Sequence, residues 1–354
     1  MLVKVIPGRQ LPDEIQQWWR EAQASSPHID NPYFCPEFTS LVSSFRDDVY
    51  VAVIEDQGAI VGVLPFQRTR WGAGRPAGGP VSDFQGIISR SDIAFDPEWL
   101  GRCCRVRFWD FPNVLASQKS FQRWQKQTAD SPYIDLTGGF EAYCNQRRAS
   151  GSHQVRDTQR QAKRITQKVG PLRLEYDVAD KEVLKTLFDW KGQQYRASGK
   201  YDGLAQGWIP ELLHRIHDTK TKHFGGMLSA LYAGDNLVAA HFGMRSKRVL
   251  HWWYPAYSRQ FDTYSPGLIL CLEIAREASM RGISRIDMGY GVEPYKRGFM
   301  NGALQVSQVA VDTTSVARAL RGGWELARKL IKATPLAAPA RLAMGPIRRW
   351  LSVG

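Results

Sequence analysis

Apolar and polar residues divide this chain into two runs of similar order, read from strand-type alternation at period 2 and helical repeats at period 3.6. Residues 2–6 predict a strand. Residues 13–24 predict a helix with Trp18, Trp19 and Ala22 on its apolar side. The stretch from Asn31 through Phe38 is rich in proline and aromatic residues and reads as core aromatics under a loop. Residues 49–54 and 59–66 are β-branched runs around Glu55-Asp56-Gln57-Gly58, which predicts a hairpin. A glycine-rich loop over 72–79, a strand near residues 86–88 and another over 105–111 complete the first run.

The second run opens with a proline-free polar stretch over 139–169, predicted as one long helix. Arg156, Arg160, Arg164 and Lys168 recur every four residues and stack on one ridge. Their mutual repulsion costs a few tenths of a kcal/mol per pair. The ridge is either a solvated face or a rail for phosphate groups, and no aromatics interleave with it for base stacking. A strand over 172–176 and helices over 180–198 and 208–218 follow. His214 and His217 form an HxxH pair without the glutamate that a metalloprotease helix carries, so no metal site is expected. Residues 227–232, 237–244 and 248–254 predict three strands, the first two joined by an Asp/Gly turn as in 49–67. The chain therefore contains one α/β unit twice.

Beyond these strands, Tyr264-Ser265-Pro266-Gly267 opens a helix over 268–280. Ser265 is expected as N-cap and Pro266 in the first turn. Gly267 leaves the backbone bare, so first-turn N–H groups at Gly267 and Leu268 face outward as an anion site, or simply begin a capped helix. Ile286 and Met288 then alternate with Arg285 and Asp287 as a short strand running into Gly289, Gly291 and a polar turn fixed by Pro294. Asp287, Glu293, Tyr295 and Lys296 crowd this segment, as either a site or a solvated turn. His241 lies mid-strand among small residues, as either a core histidine or a general base suited to neutral pH.

Composition narrows the picture. Hydrophobic residues at 43% and charged ones at 23% of 354 residues mark a globular chain long enough for two domains. Its net charge of +13 suits anionic partners without choosing among them. The cysteines number five, with no CxxC pair, so neither a disulfide framework nor a zinc site is expected and a reducing cytoplasm is. No apolar run reaches the roughly 20 residues of a membrane span, and the N-terminus lacks a signal-peptide core. Residues 313–354 carry Arg318, Arg321, Arg328 and Lys332 opposite Val316, Leu320, Ala327 and Ile331. Such a helix either packs on the body or lies on an anionic membrane surface.

Several stretches together resemble the BioF2-like and CelD/BcsL group of the Gcn5-related N-acetyltransferase (GNAT) superfamily, distantly related to the Fem aminoacyltransferases. They are Leu237-Val238-Ala239-Ala240-His241-Phe242-Gly243, Trp253-Tyr254-Pro255-Ala256-Tyr257-Ser258, Tyr264-Ser265-Pro266-Gly267-Leu268, and the run from Asp287 through Arg297. The likeness covers 224–299 and extends more weakly back to about residue 140. This chain departs from the group at Pro255 and Val292, where an acidic residue is common.

The resemblance implies an α/β (α+β) fold of two tandem GNAT-like units, each a mixed, mostly antiparallel sheet flanked by helices. The expected divisions are 1–135, 136–312 with the basic helix, and the tail 313–354. It also implies an acyl-CoA-dependent N-acyltransferase with acetyl-CoA or another acyl-CoA as co-substrate and no metal. The acceptor would be an amine, a small-molecule or lipid-linked amino sugar of exopolysaccharide or cellulose-type synthesis. His241, Asp287, Glu293 and Tyr254 are the candidate catalytic residues. Ser265, Gly267 and Leu268 would hold the pyrophosphate, and Tyr295, Lys296 and Arg297 an anionic acceptor. The alternatives are a non-catalytic GNAT-like binder of an anionic ligand or sugar chain, and an aminoacyl-tRNA-dependent Fem-like transferase. The Fem enzymes often carry a helical coiled-coil insert that holds tRNA, and no such heptad pattern appears here, so nucleic acid is disfavoured. The expected location is the cytoplasm, with possible attachment at the inner face of the membrane.

Overall fold

In the computed structural model of the chain, residues 1–319 are described except 92, 200, 201, 206, 316 and 317. Apart from residues 313–315, 318 and 319, the tail expected over 313–354 lies outside the described residues. Two compact units appear. One comprises Met1–Ala22, Val42–Thr128 and the described residues from Ser307 on; the other comprises Gln23–Leu41 and Ala129–Val306. The expected division at residues 135 and 312 thus differs in two respects: the segment Gln23–Leu41 belongs to the second unit, and the described residues from Ser307 on belong to the first.

Elements of the first run are β1 (Leu2–Pro7), α1 (Asp13–Ala24), α2 (Pro36–Phe45), β2 (Val49–Asp56), β3 (Ala59–Arg68), β4 (Ala73–Pro76), α3 (Pro97–Cys103), β5 (Phe108–Leu115) and β6 (Gln125–Asp135). In the first unit β1 to β4 pair antiparallel in sequence order, and β5 pairs parallel with β4. Ala52, Ile54, Leu64, Phe66, Trp109 and Phe111 face one core, with Trp109 stacked on Phe111 at 5.3 Å. The glycine-rich loop of the sequence hides β4. The strand expected at residues 86–88 makes only isolated bridges, among them Val63 with Ile88.

The second run holds α4 (Phe140–Ala149), α5 (Gln154–Lys168), β7 (Leu172–Tyr176), α6 (Lys181–Ala197), α7 (Trp208–Asp218), β8 (Gly225–Ala233), β9 (Asn236–Arg245), β10 (Val249–Tyr257), α8 (Pro266–Met280), β11 (Arg285–Asp287), α9 (Pro294–Phe299) and β12 (Gly302–Asp312). The single helix expected over 139–169 is two, because Gly151 takes a left-handed φ of 78° and breaks it. β7 to β10 pair antiparallel in order, β11 pairs parallel with β10, and β6 lies antiparallel beside β11. Two helices separate the first strand from the second, and one helix precedes the parallel strand, as in the first run. Each run therefore builds a mixed, mostly antiparallel sheet flanked by helices.

Side-chain alternation in the second unit separates its two faces. Met227, Leu231 and Trp252 join Ile269 and Leu270 of α8 in one core. Phe242 turns the other way, towards the rings of Phe188 on α6 and His217 on α7. Among the described residues, no helix is long and apolar enough to cross a membrane.

Candidate active site

The second unit's sheet is interrupted at one place in β10. Its register against β9 runs Leu250 with Arg245 and His251 with Met244, then resumes at Tyr254 with Phe242. Trp252 and Trp253 therefore both oppose Gly243, which is a β-bulge. A bulge leaves backbone groups without ladder partners. His241 supplies one: its Nε2 accepts the Trp253 N–H at 3.3 Å, and its ring stacks on the Trp252 indole with centroids 4.1 Å apart. Only glycine fits at 243. A Cβ there would stand 2.1 Å from the His251 carbonyl oxygen and 2.7 Å from the His241 ring.

Past the bulge, β10 and β11 part. Their parallel pairing ends at His251 with Asp287, while β10 continues along β9 to Tyr257. The chain after β11 stays with β6 instead. Met288 N–H donates to Pro132 O at 2.9 Å and Gly291 N–H to Asp130 O at 3.1 Å. The result is a wedge with Trp253, Tyr254 and Tyr257 on one wall and Gly289–Gly291 on the other. Gly289 and Gly291 have φ of 76° and 87°, and the buried Lys296 ammonium binds the turn by donating to the carbonyls of Gly289, Tyr290 and Gly291. Lys296 also pairs with the half-exposed Glu293 at 2.7 Å.

The apex of the wedge holds a buried charge network. Asp287 accepts hydrogen bonds from Arg285 Nε at 2.8 Å and from Asn31 Nδ2. Arg285 also donates to the carbonyls of Pro27 and Asp30. Asp30 accepts from Ser246 Oγ at 2.6 Å and Arg248 Nε at 3.1 Å. The segment Gln23–Leu41 is thereby fastened to β10 and β11, and it brings the Tyr33 ring within 5.0 Å of His251 and 5.9 Å of Trp253.

At the wide end of the wedge, Ser265 is the residue before α8, but with a left-handed backbone (φ 52°) and no side-chain capping bond. The expected serine cap is therefore absent, since a capping side chain reaches the first turn from an extended backbone and this one is left-handed. The Ser265 carbonyl takes the Leu268 N–H at 3.0 Å and the Ile269 N–H at 3.3 Å, so the Leu268 N–H expected to face outward is already bonded. Gly267 instead makes room for Tyr257, whose ring stands 3.3 Å from the position a Cβ would take.

The sequence-predicted residues thus separate. His241 is fully buried, and burial lowers its pKa to about 3. It is therefore neutral at neutral pH, and it fills the bulge. Asp287 is held by Arg285 and Asn31 and faces no open space, so it positions β11 rather than moving protons. Lys296 is spent on carbonyls of its own loop, which removes it from binding an acceptor. Burial raises the Tyr295 phenol well above its ordinary pKa, so it stays protonated. Tyr254 is buried on the near wall, and Glu293 and Arg297 are exposed at α9. The turn expected after Gly291 is helical from Pro294, which takes the first position where its missing N–H costs nothing. Asn31, Asp30, Arg285, Trp252 and Gly243 were missed; the Trp252-Trp253 pair across from a lone glycine was the available signal. Among the described residues there is no cluster of three or more His, Cys, Asp or Glu placed to hold a metal, and His217 Nε2 meets the Val178 carbonyl at 2.9 Å.

Three outcomes test these assignments. Gly243→Ala is expected to cost about 3 kcal/mol in a urea melt, since backbone and a packed ring block the new methyl. Asp287→Ala is expected to cost about 3–5 kcal/mol by leaving Arg285 uncompensated; a variant as stable as the wild type would return this carboxylate to the proton carriers. Folding lowers the His241 pKa from 6.5 to about 3, so the unfolded chain binds more protons inside that window. Stability is then complete above about pH 6.5 and falls as the pH drops toward about 3. His241→Gln should flatten this dependence by about 1 kcal/mol per pH unit, measured as denaturation free energy against pH.

A family model described as Acetyltransferase (GNAT) domain matches residues 152–297, which span α5 through the wedge and into α9. No curated protein matches the sequence. Among solved structures, FemX aligns with a TM-score of 0.57 at 8% identity, covering 88% of this chain and 96% of its own. A conserved protein of unknown function from Bacteroides thetaiotaomicron aligns at 0.55 and 11% identity, covering 88% of this chain and 100% of its own. The C-terminal DUF2156 domain of a protein assigned as a lysylphosphatidylglycerol synthetase, from Agrobacterium fabrum, aligns at 0.51 and 11% identity, covering 90% and 97%. At these identities the likeness is one of fold. Residues 152–297 thus match a GNAT acetyltransferase domain, and the solved structures share the fold of the chain.

Proposed function

We propose that this chain transfers an acyl group from acyl-CoA to an amine, and that the amine belongs to an amino sugar, free or lipid-linked, of exopolysaccharide or cellulose-type synthesis. The observation that carries the donor half is the wedge. Beyond His251 and Asp287, β10 presents a strand edge that β11 has left, interrupted at Pro255, which has no N–H and whose carbonyl accepts from Lys191 Nζ at 3.0 Å. An extended pantetheine arm carries amides that hydrogen-bond to such an edge as an added strand would. GNAT domains use acyl-CoA in this sense, and residues 152–297 carry that domain. The acceptor half rests on the likeness of the 224–299 motifs to the BioF2-like and CelD group.

In the proposed reaction, the amine nitrogen attacks the thioester carbonyl, the C–S bond breaks, and the thiolate takes a proton from solvent. The proton lost by nitrogen goes to Glu293. With His241 in the bulge and Asp287 in the apex network, Glu293 is the candidate carboxylate that faces solvent, two residues past the wedge's far wall. Tyr254 lines the near wall beside it in function, and Tyr295 and Arg297 on α9 are the proposed acceptor contacts.

The withdrawal of His241 and Asp287 from proton transfer favours one second reading, a non-catalytic binder of an anionic ligand or sugar chain. Turnover separates the two. Acetyl-CoA at 100 times its Kd should stabilise the full chain by about 2.7 kcal/mol, read as a thermal shift. Product mass with candidate amino sugars should show the added acyl group. Glu293→Gln should lower kcat at least about 100-fold while leaving acyl-CoA binding intact. Donor binding without product from any amine would favour the binder; no thermal shift with any acyl-CoA would overturn the donor reading.

A further inference from the structure

We infer that Lys163, Arg164 and Lys168 on α5 bind the 3′-phosphate at the nucleotide end of the acyl donor. The inference rests on the acyl-CoA reading and assigns that donor a contact on a helix that precedes the strands of the sheet. α5 packs on α8 and on the turn that leads into it. The Arg164 guanidinium lies over the Tyr264 ring, 5.9 Å from its centroid, and Tyr264 stands two residues before α8 begins. Arg164 Nη1 also donates to Gln161 Oε1 at 3.1 Å, which holds the guanidinium in place.

The ridge is not uniformly positive. Arg156 and Arg160 share Asp157, whose Oδ1 is 3.6 Å from each. Lys163, Arg164 and Lys168 are exposed, and among the described residues no acidic side chain pairs with them. The surplus cation charge therefore sits on the last two turns of α5, beside the mouth of the wedge. An arm laid along β10 from Trp253 to Tyr257 covers about 13 Å of strand. It then reaches Tyr257, packed against Gly267 at the start of α8. The nucleotide end emerges there, where a phosphate monoester dianion meets one fork-shaped guanidinium and two ammonium groups. Like charges at one-turn spacing repel, and a bound dianion relieves that repulsion.

The test compares acetyl-CoA with acetyl-3′-dephospho-CoA, titrated calorimetrically into the full chain. The wild type should bind acetyl-CoA about tenfold more tightly, the scale of one charge-assisted contact. Arg164→Gln with Lys168→Gln should reduce acetyl-CoA to the dephospho level and leave dephospho-donor affinity unchanged. Both side chains are exposed, and an unchanged melting temperature without ligand would confirm the fold. Equal wild-type affinity for the two donors, or equal weakening of both by the substitutions, overturns this inference alone. No binding of either donor overturns the acyl-CoA reading and this inference with it.

Discussion

A backbone N–H that leaves a sheet ladder inside a protein must find another acceptor or cost the fold about 1–3 kcal/mol. The second unit meets that demand at Trp253 with the His241 imidazole. The rest of the wedge depends on it. The bulge puts two tryptophans opposite one glycine, sends Trp252 into the core under α8 and turns Trp253 towards Phe242. It also re-aims the strand edge where β11 departs. A histidine is well suited to this post because it is planar enough to stack and carries a lone pair. The same burial that seats it strips its basicity.

The second constraint is the charge network around Asp287. A buried carboxylate is tolerable only when its charge is matched and its oxygens are bonded. Arg285 provides the match, and Asn31 completes the bonding from a segment far away in sequence. Asp30 repeats the arrangement with Ser246 and Arg248. Together they hold the ends of β10 and β11 in register up to the point of parting. Lys296 then holds the far wall by its own loop carbonyls. Three ionisable residues with the look of catalytic groups are therefore the framework of the candidate site.

Much of the architecture was legible from the chain alone. Residues 13–24, 208–218 and the hairpin strands after residues 49 and 227 fall where alternation and helical spacing place them, because each of these elements buries one regular face. The repeated order of strands was visible for the same reason. The short pieces were not. β4 lies in a glycine-rich stretch, α9 begins inside an apparent turn, and the 139–169 helix breaks at Gly151. Elements of four to six residues owe their form to neighbours and carry too little periodicity to announce it.

Sequence by itself determined the family likeness and the doubled unit and pointed to a candidate site near the segment from Asp287 through Arg297, since these follow from local pattern and the order of motifs. Only the tertiary structure decided what each polar residue does there. Whether a histidine is a base or a plug depends on its exposure and on which N–H points at it. Whether an aspartate moves protons or holds a strand depends on an arginine two residues away and an asparagine from Gln23–Leu41. Residue type states what a side chain is able to do; burial and partners, which are properties of the folded chain, select among those abilities.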